Sequence, residues 1–417
     1  MPSLARLLRL LTIFFVCLVV GSRERATAES IEAGSRSDIM LGMSTVLTGS
    51  NAKLGEEMQQ GILAGLERAN RNGGPAVRKL QLTTLDDGYE PSRTGSNIRA
   101  LIENVNVLAV LGDVGNQTAT VAEPLANELK TLLFAAYSGA PVLRQNPPDR
   151  YVINFRTGYP EEMKAILDAI IGIAGLKPEN VAFFSEGEFD PDQGLATLRS
   201  YGLRDPGAVQ FVGYERNTLA VESAVAQLLM AKNPPRAVVM MGTYGPSAKF
   251  IKLCTDGGLK PLFLSLSFVG ADALAKELGN TDAQVIVTQV VPSPTDNRIP
   301  IVREYKADLE AIDPSASPGY TDLEGYIDAR ILILAIARIQ GSPTREGVID
   351  ALEGLGDFDI GITETLHLSR TEHQASHRVW PTIFRGGRFV PFEWSDLTDL
   401  VKGETPPGRL SKSAEAD

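Results

Sequence analysis

Three segments of the sequence place small and hydroxyl-bearing residues where a ligand could be gripped: Leu47-Thr48-Gly49-Ser50-Asn51-Ala52, Gly115-Asn116-Gln117-Thr118 and Tyr137-Ser138-Gly139-Ala140-Pro141. Each joins a glycine, which lets backbone approach closely, to Asn, Ser or Thr side chains able to orient a carboxylate or another polar group. Each follows a β-rich run and precedes a helical pattern, so its N–H groups would meet an anion at a helix N-terminus. Taken singly, each is explained as well by helix capping, which Ser, Thr and Asn perform routinely.

Other chemistries have weaker carriers. The Gly112-Asp113-Val114-Gly115 loop lacks the G-x-G-x-x-G spacing, and no G-x-x-x-x-G-K-[ST] occurs, so no nucleotide cofactor is expected. His373 and His377 stand four apart beside Glu372, a spacing that could grip a metal from one helical face. The residues around them, and around His367, read as a polar turn between strands, so no metal is expected. There is no G-x-S-x-G elbow, and Cys254 falls inside a predicted helix over 247–256 as a buried structural thiol. Asp86-Asp87 could form a carboxylate pair, but a turn carrying its own caps explains them equally.

The chain has 417 residues, 43% hydrophobic and 22% charged. That is the balance of a soluble globular protein too long for one core, so two domains are expected. Two cysteines exclude a disulfide framework or a Cys-rich metal site. The formal charge of −11 argues against nucleic acid as a partner. Arg6 and Arg9 precede an apolar run over 10–20, and Ala26-Thr27-Ala28 offers small residues where a signal peptidase cuts. The run is too short for the roughly 20 residues of a membrane-spanning helix. Residues 1–28 are therefore expected to be a cleaved signal peptide and the protein to be periplasmic, with a retained N-terminal anchor as the alternative that the charged stretch Arg23-Glu24-Arg25 leaves open. Cleavage after Ala28 would remove Arg6, Arg9, Arg23, Arg25 and one acid, Glu24, taking the charge from −11 to −14. Cys17 follows Phe14-Phe15-Val16 rather than Gly or Ala, which disfavours a lipoprotein, and Cys254 would be the one mature thiol.

From residue 38 onward, short β-rich runs alternate with helical patterns, the signature of parallel sheets covered by helices. Strands are predicted at 39–46, 80–85, 107–111 and 132–136. A helix from near Leu54 carries Leu54, Met58, Ile62, Gly65, Leu66 and Ala69 on one face and ends at Asn72-Gly73-Gly74-Pro75. A second series follows 151–155, with strands at 181–185, 210–214, 237–241, 262–265 and 285–291. Helices are expected at 301–312, 322–340 and 345–355, then strands at 363–368, 379–384 and 389–394, and a disordered tail over 402–417. The fold class expected is α/β, two doubly wound parallel-sheet lobes. No low-complexity linker separates the two series, as lobes joined by several short crossings would require.

Leu47-Thr48-Gly49, Asn51-Ala52-x-Leu54-Gly55, Gly61, Asn70, Gly73-Gly74, Asp86-Asp87, the Gly112 loop, Ser138-Gly139-Ala140 and Leu323-Glu324-Gly325-Tyr326 occur in that order. In order and spacing the chain resembles the periplasmic solute-binding proteins of ABC transporters in the branched-chain amino-acid group, over nearly all of residues 38–395. The resemblance implies a type I periplasmic binding fold, with lobes of 38–154 plus 292–356 and of 155–291 plus 357–394, joined by three crossings. It implies a monomer that closes on a small-molecule ligand and docks on a membrane permease, with no catalysis. It places a ligand carboxylate on Asn116, Gln117, Thr118, Ser138, Gly139 and Ala140, with an aromatic group at Tyr244.

The family's amino-acid binders set an acid after the fourth strand of the second lobe, where this chain reads Ser265-Leu266-Ser267-Phe268-Val269-Gly270. Ser267 cannot balance a buried ammonium. Glu188 or Asp190, from the acidic loop after the lobe's first strand, could substitute. Otherwise the ligand lacks an amine, as an amide, a urea-like molecule or an organic acid would. Phe189, Tyr244 and Phe268 could supply apolar walls. Two other classes fit less of this pattern. A ligand-sensing receptor of the same fold would be marked by an attached signalling domain, and an exported hydrolase using Asp113, Glu188 or Asp190 by turnover of what it binds.

Overall fold

The computed structural model describes residues 38–187 and 191–402. The expected signal peptide, residues 188–190 with the candidates Phe189 and Asp190, and residues 403–417 of the expected tail lie outside that range.

The first series runs β1 (Ile39–Thr45), α1 (Ala52–Arg71), β2 (Leu80–Asp86), α2 (Pro91–Arg99), β3 (Ala109–Leu111), α3 (Asn116–Glu128), β4 (Leu132–Phe134) and β5 (Val152–Ile153). These strands form one sheet in the order β2-β1-β3-β4-β5, with β1–β3, β3–β4 and β4–β5 parallel. The order steps outward from β1 in both directions. The loops after β1 and β3 therefore diverge at a switch point, which leaves a crevice at the carboxyl ends of the strands.

After α4 (Tyr159–Leu167) come β6 (Val181–Glu186), α5 (Pro191–Ser200), β7 (Gln210–Tyr214), α6 (Glu222–Leu229), β8 (Ala237–Met241), α7 (Tyr244–Asp256), β9 (Leu262–Ser265), α8 (Ala271–Leu278) and β10 (Val285–Gln289). Then follow α9 (Pro300–Ile312), α10 (Tyr320–Ala337), α11 (Arg345–Glu353), β11 (Gly356–Phe358), β12 (Leu366–Leu368), β13 (Trp380–Arg385), β14 (Arg388–Pro391) and α12 (Leu397–Lys402). The second sheet has the order β14-β13-β10-β9-β8-β6-β7. Strands β10, β9, β8, β6 and β7 are parallel neighbours. β8 is apolar throughout and β9 up to its last residue, Ser265, because helices cover both faces.

The α/β fold with its parallel series is as expected, and the structure adds two details. The second sheet is mixed, since β13 pairs antiparallel with β10 and β14 with β13. Gly386 and Gly387, both at positive φ (59° and 78°), make the reversal that a tight hairpin needs. Lys402, expected to open a disordered tail, instead closes α12. β11 was not foreseen; it pairs antiparallel with β12 as a separate ribbon.

On one face of the first sheet, Ile98, Leu101, Ala119, Ala122 and Leu133 form a core beneath α2 and α3. Elsewhere Leu54, Met58, Ile62 and Leu66 of α1 are buried at helical spacing. α1 meets α10, which is buried around most of its circumference, as a central helix must be. The two backbones touch: a side chain at Gly61 would begin 1.8 Å from the Asp322 carbonyl oxygen, and one at Gly325 2.4 Å from that of Met58. α10 thus covers α1 although it follows the whole parallel part of the second sheet in sequence.

Candidate functional site

β3 ends at Leu111, and the chain turns through Gly112 and Gly115, at φ 71° and 121°. A side chain at Gly115 would overlap the Tyr89 ring and the Thr118 hydroxyl, so glycine lets α3 begin against the neighbouring loop. Asn116, in the first turn of α3, accepts two hydrogen bonds on Oδ1, from Ser138 Oγ at 2.8 Å and Tyr159 OH at 2.7 Å. The donors come from the loop after β4 and from α4, and they turn the amide NH2 the other way. Ser138 Oγ accepts the Ala140 N–H at 3.2 Å, and the Gly139 carbonyl accepts the Tyr159 N–H at 2.8 Å. Arg144 fastens the loop, donating to the Ser138 and Ala140 carbonyls at 3.2 Å each. Asn116, Ser138, Gly139 and Ala140 are thus brought together. Thr118 is not with them: its buried hydroxyl donates to the Val114 carbonyl at 2.7 Å, a helix-end contact. Gln117 is exposed, its Nε2 3.4 Å from where a Gly187 side chain would begin, after β6.

The second sheet contributes the segment after β9. Phe268 lies against Tyr137 and Tyr159, with ring centroids 5.7 and 6.2 Å apart, so it shares Tyr159 with the Asn116 cluster. The Ser267 hydroxyl is already engaged. Its N–H and Oγ each donate to Glu162 at 2.9 Å, and Arg156 donates to Oγ. Glu162 accepts a third bond, from Thr288 Oγ1. Arg156 is 1% exposed, lies 4.4 Å from the Tyr137 ring centroid, and has Nε 3.5 Å from Glu324 Oε1. Burial lifts Glu324 to about 7 against the pull of Arg156, and burial and Glu324 hold Asp328 well above the usual carboxylate range.

Further bonds join loops of the two sheets. Glu186, at the end of β6, accepts the Tyr89 OH at 2.8 Å, and burial raises its carboxyl above the ordinary value. Arg216 donates to the Tyr89 carbonyl and to Glu90 at 2.7 Å, and Asn217 donates to Glu90 at 2.8 Å. Tyr244 OH donates to the Ser50 carbonyl at 2.6 Å. Asn51, next in the chain, is buried, and its Oδ1 has no partner among the described residues.

Tyr89, Arg156, Tyr159, Glu162 and Glu186 were missed in the sequence. Tyr89 follows the Asp86-Asp87 turn already singled out, and Glu186 closes β6 just before the acidic loop. An arginine, by contrast, reads as surface, and nothing local marks Arg156 for burial.

The remaining chemical candidates resolve into structural roles. Asp86 accepts from the Leu47 and Gly88 N–H groups, Thr48 and Arg93, and Asp87 from Ser44, Thr94 and the Tyr89 N–H, which is the self-capping turn. His373 is buried with Nδ1 2.8 Å from the Val152 carbonyl, and His377 Nδ1 lies 2.7 Å from Glu161. Among the described residues no group of three or more His, Cys, Asp or Glu could hold a metal, and no helix is long and apolar enough to cross a membrane. Cys254 is a buried free thiol. Asp113 is fully buried, and that burial holds its carboxyl well above the usual carboxylate range.

Residues 38–387 match the family described as periplasmic binding protein. The chain belongs to this periplasmic binding protein family. Leu/Ile/Val-binding protein homolog 2 from Brucella abortus is 25% identical over 328 residues, 78% of this chain and 84% of the homologue. The crystal structure of a possible leucine/isoleucine/valine-binding protein from Rhodopirellula baltica aligns with a TM-score of 0.82 at 40% identity, over 87% of this chain and 98% of that one. A fatty acid ABC transporter substrate-binding protein from Thermomonospora curvata shares the fold, with a TM-score of 0.74 at 19% identity, over 89% and 96%. The periplasmic binding proteins of this type I, leucine-binding kind are substrate-binding proteins and not enzymes. Their names span unlike solutes, so the fold alone does not select one.

Proposed function

We propose that this protein is the extracytoplasmic solute-binding component of an ABC transporter. It takes a small polar ligand, an amino acid, amide or organic acid, between a lobe of 38–154 with 292–356 and a lobe of 155–291 with 357–394, and hands it to a membrane permease. It is exported with loss of residues 1–28 and acts as a monomer. The observation that carries this reading is the convergence of Asn116, Ser138 and Tyr159, from three separate elements, beside Phe268 of the second sheet. A fixed polar group against an aromatic wall orients a small polar ligand. Ligand contacts the first lobe, and closure of the second is a population shift limited by how much better the ligand binds the closed form. Ser267 brings no charge of its own and is already bonded to both Glu162 and Arg156, so an amino acid could take its counter-charge from Glu188 or Asp190, and otherwise the ligand lacks an amine. Hydrolysis draws no support from Asp113, whose carboxyl is fully buried and held well above the usual carboxylate range.

Thermal-shift screening of amino acids, amides and organic acids is expected to find a solute that raises the melting temperature. Against that solute, Asn116→Ala is expected to lose roughly 10- to 100-fold in affinity, the cost of about 1–3 kcal/mol for an unmade polar contact. Chemical conversion of the bound solute, or full affinity in the variant, would count against the reading.

A further inference from the structure

α8, on the second sheet, carries Asp272, and its Oδ2 accepts the Tyr320 N–H at 2.7 Å in the first turn of α10. Asp322, two residues further along α10, accepts the Gly319 N–H on Oδ1 at 2.9 Å. The two carboxylate oxygens lie 2.7 and 2.9 Å from one point, where a Gly319 side chain would begin. Two acids from different sheets therefore crowd one stretch of backbone. Glu57 of α1 is the third: it lines the same groove of about 930 Å³ with Asp272, Asp322 and Tyr244, and its Oε2 has no partner among the described residues. The other charged groups facing this cluster are Lys53 and Glu56 of α1, which pair with each other at 3.5 Å, Lys276 and Glu277 of α8, and Asp313 after α9. Tyr305 of α9 accepts the Gly319 N–H at 3.0 Å. No cation is bonded to Asp272 or Asp322 in these contacts, whose donors are backbone N–H groups.

We propose that this contact is a proton-operated latch: closing the crevice seats Asp272 on the start of α10 beside Glu57 and Asp322, and takes up a proton that the open form releases. The proposal rests on the closing, two-lobed reading given above. Burial, followed by the charges of Asp322 and Asp272, pushes Glu57 up to about 8, and burial likewise lifts Asp322 to about 7 and raises Asp272. Opening withdraws Asp272 and returns water to Glu57, so both carboxyls fall back towards ordinary values. The closed form thus binds more protons. It is favoured at low pH and loses that advantage as pH rises through about 7 to 8. The Asp272 bond to the helix start favours the anion, which keeps the contact specific while the neighbours carry the proton.

The test is small-angle X-ray scattering of the ligand-free full chain from about pH 6 to about pH 9. For a one-proton latch the closed-to-open ratio is expected to fall by up to roughly tenfold per pH unit near pH 7 to 8, seen as expansion. Asp272→Asn and Glu57→Gln preserve shape and remove charge, so both variants are expected to stay compact at the alkaline end. Wild-type scattering that is the same at both ends, or variants that expand in step with the wild type, overturns the latch. A protein that compacts with acid yet binds no solute keeps the latch and refutes the transport reading. One that closes on a solute with no dependence on pH does the reverse.

Discussion

Arg156→Ala is expected to destabilise the protein by about 3–5 kcal/mol, the cost of stripping one partner from a buried ionic group. The guanidinium lies over Tyr137, donates to Ser267 and faces Glu324. Without it, Glu162 and Glu324 keep their burial and lose the cation beside them, while Ser267 loses a donor. Glu324, already at about 7, can escape by taking a proton, which is why the expected loss stays far below the cost of an isolated buried charge. Combining Arg156→Ala with Glu324→Gln should therefore lose less than the two changes summed. Urea denaturation of the three variants measures this, and an Arg156→Ala protein within about 1 kcal/mol of wild type would falsify the account. Because Arg156 bonds to the Ser267 segment and faces α10, loss of solute affinity should accompany loss of stability.

Gly61→Ala carries the second large effect. In a helix, alanine is favoured over glycine by about 1 kcal/mol, so intrinsic propensity predicts a gain. Packing opposes it: the new methyl would sit 1.8 Å from the Asp322 carbonyl oxygen, and the obstacle is backbone, which cannot rotate aside. α10 would have to retreat by more than an ångström from α1. Overpacking costs about 1–3 kcal/mol even where side chains can adjust, so a loss at or above the top of that range is expected. Gly95→Ala, whose methyl would meet only side chains, Val121 Cγ1 at 3.1 Å and Leu125 Cδ1 at 3.8 Å, is the comparison; it should stay within about 1 kcal/mol of wild type, because a side chain can give. Equal denaturation midpoints for the two variants would remove the argument that α1 and α10 are in backbone contact.

The alternation of strands and helices was legible because apolar runs and helical spacing are local properties of the sequence. β7, β8 and β9 fall where the runs place them. β11 was not legible: three residues beginning with Gly356 and Asp357 carry no period, and the strand exists only because β12 lies opposite. The loops after β3 and β4 could be read as binding loops from residue type, and the structure brings Asn116 and Ser138 into direct contact. Thr118 has the right type and the wrong direction, a distinction set by one helix-end hydrogen bond. The partners of Ser267 were out of reach, because Glu162 and Arg156 lie more than a hundred positions away and their burial is a product of packing.

The contact of α1 with α10 also governs the order of folding. α1 is complete by Arg71, but the helix that covers it begins at Tyr320, and the hairpin that finishes the second sheet at Trp380. A chain emerging from its N-terminus can complete neither sheet's packing until most of it is available, because α1 waits for a helix more than two hundred residues later and β10 for a strand nearly a hundred residues later. Until then the apolar stripe of α1 stays uncovered and prone to association. Such a chain becomes a native protein only near the end of its own length.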